Sequence, residues 1–331
     1  MTANKSLHVE SANGVLRAAS RSRLLLCRSL LLIGVWVLGL LLSAVHASTN
    51  IAKTGNSKAQ AQVPVSGMVV STHPLYLIAQ AVTQGIEHPK LLLPANQSGH
   101  DVQLHPADRQ LLKQASFVVW FGAHYEAPLA RVLKNQPNAI ALFDLNAFKR
   151  LPTRNTQGQA FANSLDAHLW LEPANAVGIA HAIAAVRAKQ FPQFAAQYKA
   201  NAATFTQQLM QQVKPLQLSR SPRPYWAYHD AYQYLERSLN LQFKGSLTVE
   251  HDLPPTLGQL AWLQQHRPTK PAGQATPKTM CLLAEGQIDS AILKRLQPLK
   301  LQVVDETMRS SSNFVDGWKK LAQAIIGCTQ P

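Results

Sequence analysis

The segment Asp166-Ala167-His168-Leu169-Trp170-Leu171-Glu172-Pro173 sets a histidine inside a short apolar run that stops at a proline. Imidazole can carry a proton near neutral pH or bind a borderline-soft metal. A lone histidine beside Leu and Trp is more often a hydrogen-bonded core residue, so this one gains meaning from two other segments. Ser98-Gly99-His100-Asp101 follows the apolar run 91–93, and Tyr228-His229-Asp230-Ala231 follows 224–227. Both histidines come straight after a candidate strand and ahead of a candidate helix, which in an open parallel α/β sheet is the edge where ligands bind. Asp305 closes a further candidate strand at 299–304. His100, His168, His229 and Asp305 together form a donor set suited to Zn2+, which takes four N, O or S ligands in a tetrahedron. Asp305 reads equally well as a purely structural residue. Asp101, Asp230 and Glu172 stand close enough in sequence to orient the imidazoles as acceptors, whereas His105, His124 and His251 read as solvated.

These residues need a scaffold. The pattern predicts a strand at 67–71, a helix at 74–82 opened by Pro74, a strand at 91–93, a loop at 99–104 and a helix from 106. A strand at 117–121, a helix at 126–133 and a strand at 139–143 follow, an alternation that predicts a parallel sheet covered on both faces. Residues 149–164 are polar, with Pro152 and Gly158, and read as an exposed loop near the site. After a helix at 175–191, Phe194, Tyr198, Ala202, Phe205, Leu209 and Val213 recur at helical spacing, one apolar stripe on a long helix stopped by Pro215. The second half repeats the alternation, with strands at 225–228, 280–284 and 299–304, an extended run at 241–247, and helices at 231–239, 256–265, 289–296 and 314–326. The expected class is α/β: two lobes, each a parallel β-sheet flanked by helices, joined by one long rigid linker helix. The N-terminal lobe is placed at 66–191, the linker helix at 192–216 and the C-terminal lobe at 217–331.

Composition bounds the function. Residues 1–28 are polar and basic, 29–44 almost wholly apolar, and Ala44-Val45-His46-Ala47 offers a peptidase small residues. This is the order of a cleavable secretory leader over 1–47, with a membrane anchor as the alternative. Residues 48–65 are polar and aperiodic, a disordered linker. The leader carries Lys5, Arg17, Arg21, Arg23 and Arg28 against Glu10, so of the net charge of +15 about +11 stays on the remainder. Such a charge suits nucleic acid or anionic lipid. Export, the scatter of the cations and the lack of aromatic-basic alternation argue against nucleic acid. Beyond the leader two cysteines remain, Cys281 and Cys328, and in an oxidising compartment so sparse a pair reads as one disulfide tying the last helix to its sheet.

In this order and spacing the motifs resemble those of ABC-transporter solute-binding proteins of the metal-binding cluster A-I, most closely the high-affinity zinc uptake proteins of the bacterial periplasm. Besides the histidine segments, Pro106-Ala107-Asp108 and the run from Ala115 to Gly122 followed by Glu126 carry the likeness, which spans about 66–328. The resemblance implies a periplasmic monomer, not an enzyme, that holds Zn2+ as transported ligand between two lobes and delivers it to a membrane permease driven by a cytoplasmic ATPase. By motif, His100, His168 and His229 match the metal-binding histidines, Asp305 a carboxylate that some members use, and Cys281 and Cys328 the disulfide of zinc-binding members. Manganese-binding relatives commonly place a glutamate where this chain has His229. The chain departs from the pattern in having no histidine in 149–164, in following Asp305 with Glu306-Thr307-Met308, where Glu306 could substitute, and in a basic charge that opposes steering of Zn2+. The alternatives are a Mn2+-binding member of the same transport family, a secreted zinc-dependent hydrolase, for which no His-Glu-x-x-His helix exists, and a surface metal-binding adhesin with no transport partner.

Overall fold

The computed structural model describes residues 67–216, 221–251, 253–269 and 278–330. The expected leader and disordered linker lie outside them. Strands β1 (Met68–Val70), β2 (Lys90–Leu91), β3 (Phe117–Trp120) and β4 (Ala139–Ala141) alternate with helices α1 (His73–Thr83), α2 (Pro106–Gln114) and α3 (Ala127–Leu133). All pairings are parallel and the sheet order is β2-β1-β3-β4. Each of the three helices, and α4 (Pro173–Gln190) after them, carries a proline in its first two positions, where a missing N–H leaves no bond unmade.

Strand periodicity of two sorts the side chains of this sheet onto separate cores. Met68, Val70, Phe117 and Val119 face the largest apolar cluster, while Val69, Val118 and Trp120 meet Leu112, Leu129 and Leu133 of α2 and α3 on the outer side. Helix α5 (Ala195–Leu216) follows α4 after a 3-10 turn at Pro192–Phe194, and Tyr198, Ala202, Phe205, Leu209 and Val213 of the expected stripe are all buried. Pro215 sits in its last turn instead of ending it earlier.

The second half comprises β5 (Arg223–Ala227), α6 (Glu236–Leu239), β6 (Leu241–Ser246), α7 (Leu257–Gln265), β7 (Met280–Ala284), α8 (Ser290–Arg295), β8 (Leu299–Val303) and α9 (Phe314–Thr329). Its sheet is again wholly parallel with order β6-β5-β7-β8, the same placement of second, first, third and fourth strand as before. Trp226, Met280 and Leu282 meet Leu260, Leu263 and Leu296 on the outer side. Tyr225, Ala227, Cys281 and Leu283 instead join the large cluster that holds the inner face of the first sheet with α1, α4, α5 and α9. The two halves therefore share one core, and any wide opening between them would expose it to water at about 25 cal/mol per Å2 of apolar area. The Cys281–Cys328 disulfide joins β7 to α9 across a Cα separation of 5.4 Å.

Two local expectations differ. The helix expected at 231–239 is a 3-10 turn, Gln233–Leu235, with the single turn of α6 behind it, because Tyr232, Gln233 and Tyr234 are all buried and Asn240 stops the helix in a left-handed conformation. The end of the strand expected at 139–143 curls into a 3-10 turn at Leu142–Asp144. The apolar run after His168 forms a 3-10 turn, Leu169–Leu171, fully buried, because Pro173 opens α4 immediately behind it.

Candidate metal centre

His168 enters the site at the start of that turn. Its Nδ1 donates to Asp166 Oδ1 at 2.8 Å, and the same carboxylate oxygen accepts the His168 backbone N–H at 3.0 Å. The ring is thereby fixed with Nε2 turned away from Asp166, the arrangement in which a carboxylate orients a ligating imidazole and raises its basicity. Asp166 lies two residues before the histidine, in a motif already singled out, yet its role was not legible without the fold.

The second sheet supplies the opposite side from the carboxyl ends of three of its strands. His229 stands two residues after β5, Glu285 directly after β7, and Glu306 three residues after β8. His229 Nδ1 lies 2.9 Å from Glu285 Oε1, a second carboxylate backing an imidazole. Glu306 Oε1 lies 3.4 Å from His168 Nε2. Its loop is held from the first half, since the buried Trp170 indole donates to the Glu306 carbonyl at 2.9 Å and His73 Nδ1 bonds the Thr307 carbonyl at 3.1 Å. Among the described residues, His168, His229 and Glu306 are the group whose ligating atoms all fall within 4.8 Å of one another, and all three are buried. One ion could touch all three.

The electrostatics agree. Burial works against a charged imidazole at His168, but Glu306 and Asp166 outweigh it and raise its pKa well above the usual value. At His229 burial again opposes the charge, and Glu285 and Glu306 prevail. A cation at this point therefore meets a concentration of negative charge despite the basic surface of the chain.

His100 sits on a 3-10 turn, Gly99–Asp101, capped by Ser98, with its ring centroid 6.3 Å from that of His168 and its edge against Tyr125 at 4.8 Å. It flanks the tight trio and is not part of it. Asp305 is turned into its own loop, where it accepts from Thr307 Oγ1 at 2.9 Å and the Ser310 backbone at 3.2 Å, while the neighbouring Glu306 faces His168. His251 was read as solvated, but it is half-buried and its ring lies 5.3 Å from His100 and 6.0 Å from His229. Nothing in its own sequence neighbourhood marks it. His105 caps α2, and Glu172 pairs with Lys149 at 3.2 Å.

Two parallel sheets of the same strand order, sharing one core with His and Glu side chains gathered between them, have the architecture of solute-binding proteins. Within that class, the chain belongs to the family described as zinc-uptake complex component A, periplasmic, whose profile matches residues 68–300. It is 26% identical over 272 residues to the high-affinity zinc uptake system protein ZnuA of Brucella abortus, covering 69% of this chain and 79% of that one. To its Yersinia pestis counterpart it is 29% identical over 256 residues, covering 69% and 78%. In fold it is similar to a crystal structure of ZnuA, with a TM-score of 0.64 and 20% identity over 80% of this chain and 99% of that one. The laminin-binding protein Lmb of Streptococcus agalactiae, described as bifunctional with adhesin and metal transporting activity, gives the same TM-score at 16% identity and the same coverage. The curated relatives are proteins of high-affinity zinc uptake systems.

Proposed function

We propose that this protein captures Zn2+ in the periplasm between an N-terminal lobe at 66–191 and a C-terminal lobe at 217–331, and delivers it to an ABC permease with a cytoplasmic ATPase. His168, His229 and Glu306 are the inner ligands, and His100 is the third imidazole, closing on the ion from the first half. The observation that carries this reading is the buried trio within 4.8 Å, each imidazole backed by its own carboxylate. Imidazole-rich sets suit Zn2+ better than Mn2+, which prefers oxygen. The cleavable leader over 1–47 is the route of export, and the protein acts as a monomer.

Calorimetric titration of the metal-stripped protein tests the reading. One tight Zn2+ site is expected, with Mn2+ binding at least tenfold more weakly, and with the tight site lost in His168→Ala. Tight zinc binding that survives His168→Ala would put the site elsewhere, and turnover of an ester, phosphate or peptide by the zinc-loaded protein would favour a hydrolase.

A further inference from the structure

Residues 149–164 carry no histidine, and the structure gives them a task other than collecting metal. They close into a short turn in which Asn155 Oδ1 accepts the backbone N–H groups of Gln157 at 3.0 Å and Gln159 at 2.9 Å, while Arg154 bridges Ala160 in antiparallel fashion. Gly158 takes φ +91 at the tip, a conformation that a side chain would strain. The turn belongs in sequence to the first half, yet it bonds repeatedly to the second. Leu151 donates to Tyr234 Oη at 3.0 Å, Gln233 Nε2 donates to the Pro152 carbonyl at 2.9 Å, and the Ser246 backbone donates to the Thr156 carbonyl at 3.0 Å.

Arg154 is the centre of this strap. Its Nε and Nη2 donate to the two oxygens of Asp230 at 2.7 and 2.8 Å, Nη2 also reaches Glu236 at 2.7 Å, and the guanidinium lies 4.3 Å over the Phe243 ring. A bidentate Arg–carboxylate pair fixes direction as well as distance, and here both side chains are nearly closed off from solvent. Asp230 is the residue next to His229. At the other end of the strap, Asp166, which orients His168, receives Gln233 Nε2 at 3.4 Å. The segment thus grips the residue next to His229 directly and, through Gln233, adjoins the carboxylate that orients His168.

We propose that Arg154 is a positioning residue for metal binding: it latches the turn that carries His229 to the first half, so that the spacing between His168 and His229 is set before an ion arrives. The inference rests on the zinc-capture reading. Preorganisation of this kind lowers the ordering cost of binding and slows escape of the ligand.

The test is stopped-flow release of Zn2+ to a chelator, together with the visible d–d absorption of the Co2+-substituted protein, in Arg154→Gln and Arg154→Lys. Arg154→Gln is expected to release zinc at least tenfold faster with a changed Co2+ band, and Arg154→Lys, which keeps one ion pair, to recover part of both. A purely structural arginine would lower the melting temperature and leave both metal readouts alone. Should Arg154→Gln fail to fold, the pair Arg154→Gln/Asp230→Asn removes both buried charges, and the same fast release is expected of it. Unchanged release and an unchanged band in either folded variant overturn the proposal. No zinc uptake by the unsubstituted protein would overturn the capture reading itself, and this inference with it.

Discussion

His168 Nε2 lies 3.4 Å from Glu306 Oε1, and among the described residues His168 Nε2 and Glu306 Oε2 are buried atoms with no hydrogen-bond partner. Leaving buried polar atoms unsatisfied costs about 1–3 kcal/mol each, and a divalent ion would relieve both at once. Glu306→Gln is therefore expected to weaken Zn2+ binding by roughly 10-fold to 100-fold. Asp305→Asn, whose carboxylate serves Thr307 and Ser310, should weaken it less. Competition titration against a fluorescent zinc chelator separates the two. The reverse ranking would return Asp305 to the donor set.

A second expectation concerns Glu126, fully buried beside Tyr125. Burial raises its pKa to about 7, against hydrogen bonds from Ser71 and from the backbone of Gly122 and Phe121 that lower it. Phe121 N and Gly122 N reach its Oε2 at 2.7 and 3.2 Å, so the carboxyl pins the turn that leaves β3. In the unfolded chain a glutamate titrates near 4.3. Between that value and about 7 the folded protein holds a proton that the unfolded chain has released, so stability falls as pH rises through this window. The whole contribution is on the order of 3–4 kcal/mol. Urea unfolding of the unsubstituted protein and Glu126→Gln at pH 5 and pH 7.5 should show a smaller loss in the variant. Equal losses would mean that Glu126 ionises normally in the fold.

The long helix and both sheets were legible because Tyr198 to Val213 recurs at helical spacing and because segments such as 117–120 and 280–284 are apolar enough for strands covered on both sides. That His100 and His229 would come near each other was legible because strand-to-helix junctions in parallel sheets converge on one edge, and both rings stand beside that of His168. Which carboxylate of the Asp305-Glu306 pair turns toward His168 was left open, since adjacent residues on a loop point apart and their directions depend on bonds made by Thr307 and Ser310 within the loop and by Trp170 far from it. His251 and Glu285 escaped for a related reason. Each reaches the centre through a contact between distant segments, for which a single chain carries no local periodicity.

The Cys281–Cys328 bridge spans a sequence separation of 47 and fastens the last helix to the central part of the second sheet. A loop of that length restricts the unfolded chain by about 4 kcal/mol on the entropic account. Cys281→Ala/Cys328→Ala should lower the urea midpoint correspondingly, whereas zinc affinity of the folded fraction should hold, because neither sulfur lies among the donors. Loss of affinity in a folded double variant would show that α9 helps to place the loop of Glu306.

Arg187 gives a further separation of stability from binding. It is 1% exposed, donates Nε to Glu87 Oε1 at 2.6 Å, contacts Glu87 Oε2 through Nη2, and lies 4.5 Å over the Phe191 ring. Tyr198 of α5 donates to the same carboxylate at 2.7 Å, so one buried ion pair joins α4, α5 and the turn after α1. Removing only the cation strands Glu87 in the core, and Arg187→Met should cost about 3–5 kcal/mol. Arg187→Met/Glu87→Gln keeps an acceptor for Tyr198 without a buried charge and should regain more than half of that loss. Arg187 also reaches Ser116, just before β3, at the amino-terminal edge of the first sheet, whereas the metal donors gather at carboxyl ends. Both variants, once folded, should therefore bind Zn2+ like the unsubstituted protein. Chemical denaturation read beside zinc calorimetry decides the matter, and a double variant no more stable than Arg187→Met would show that the cost comes from lost packing of the arginine stem and not from the stranded carboxylate.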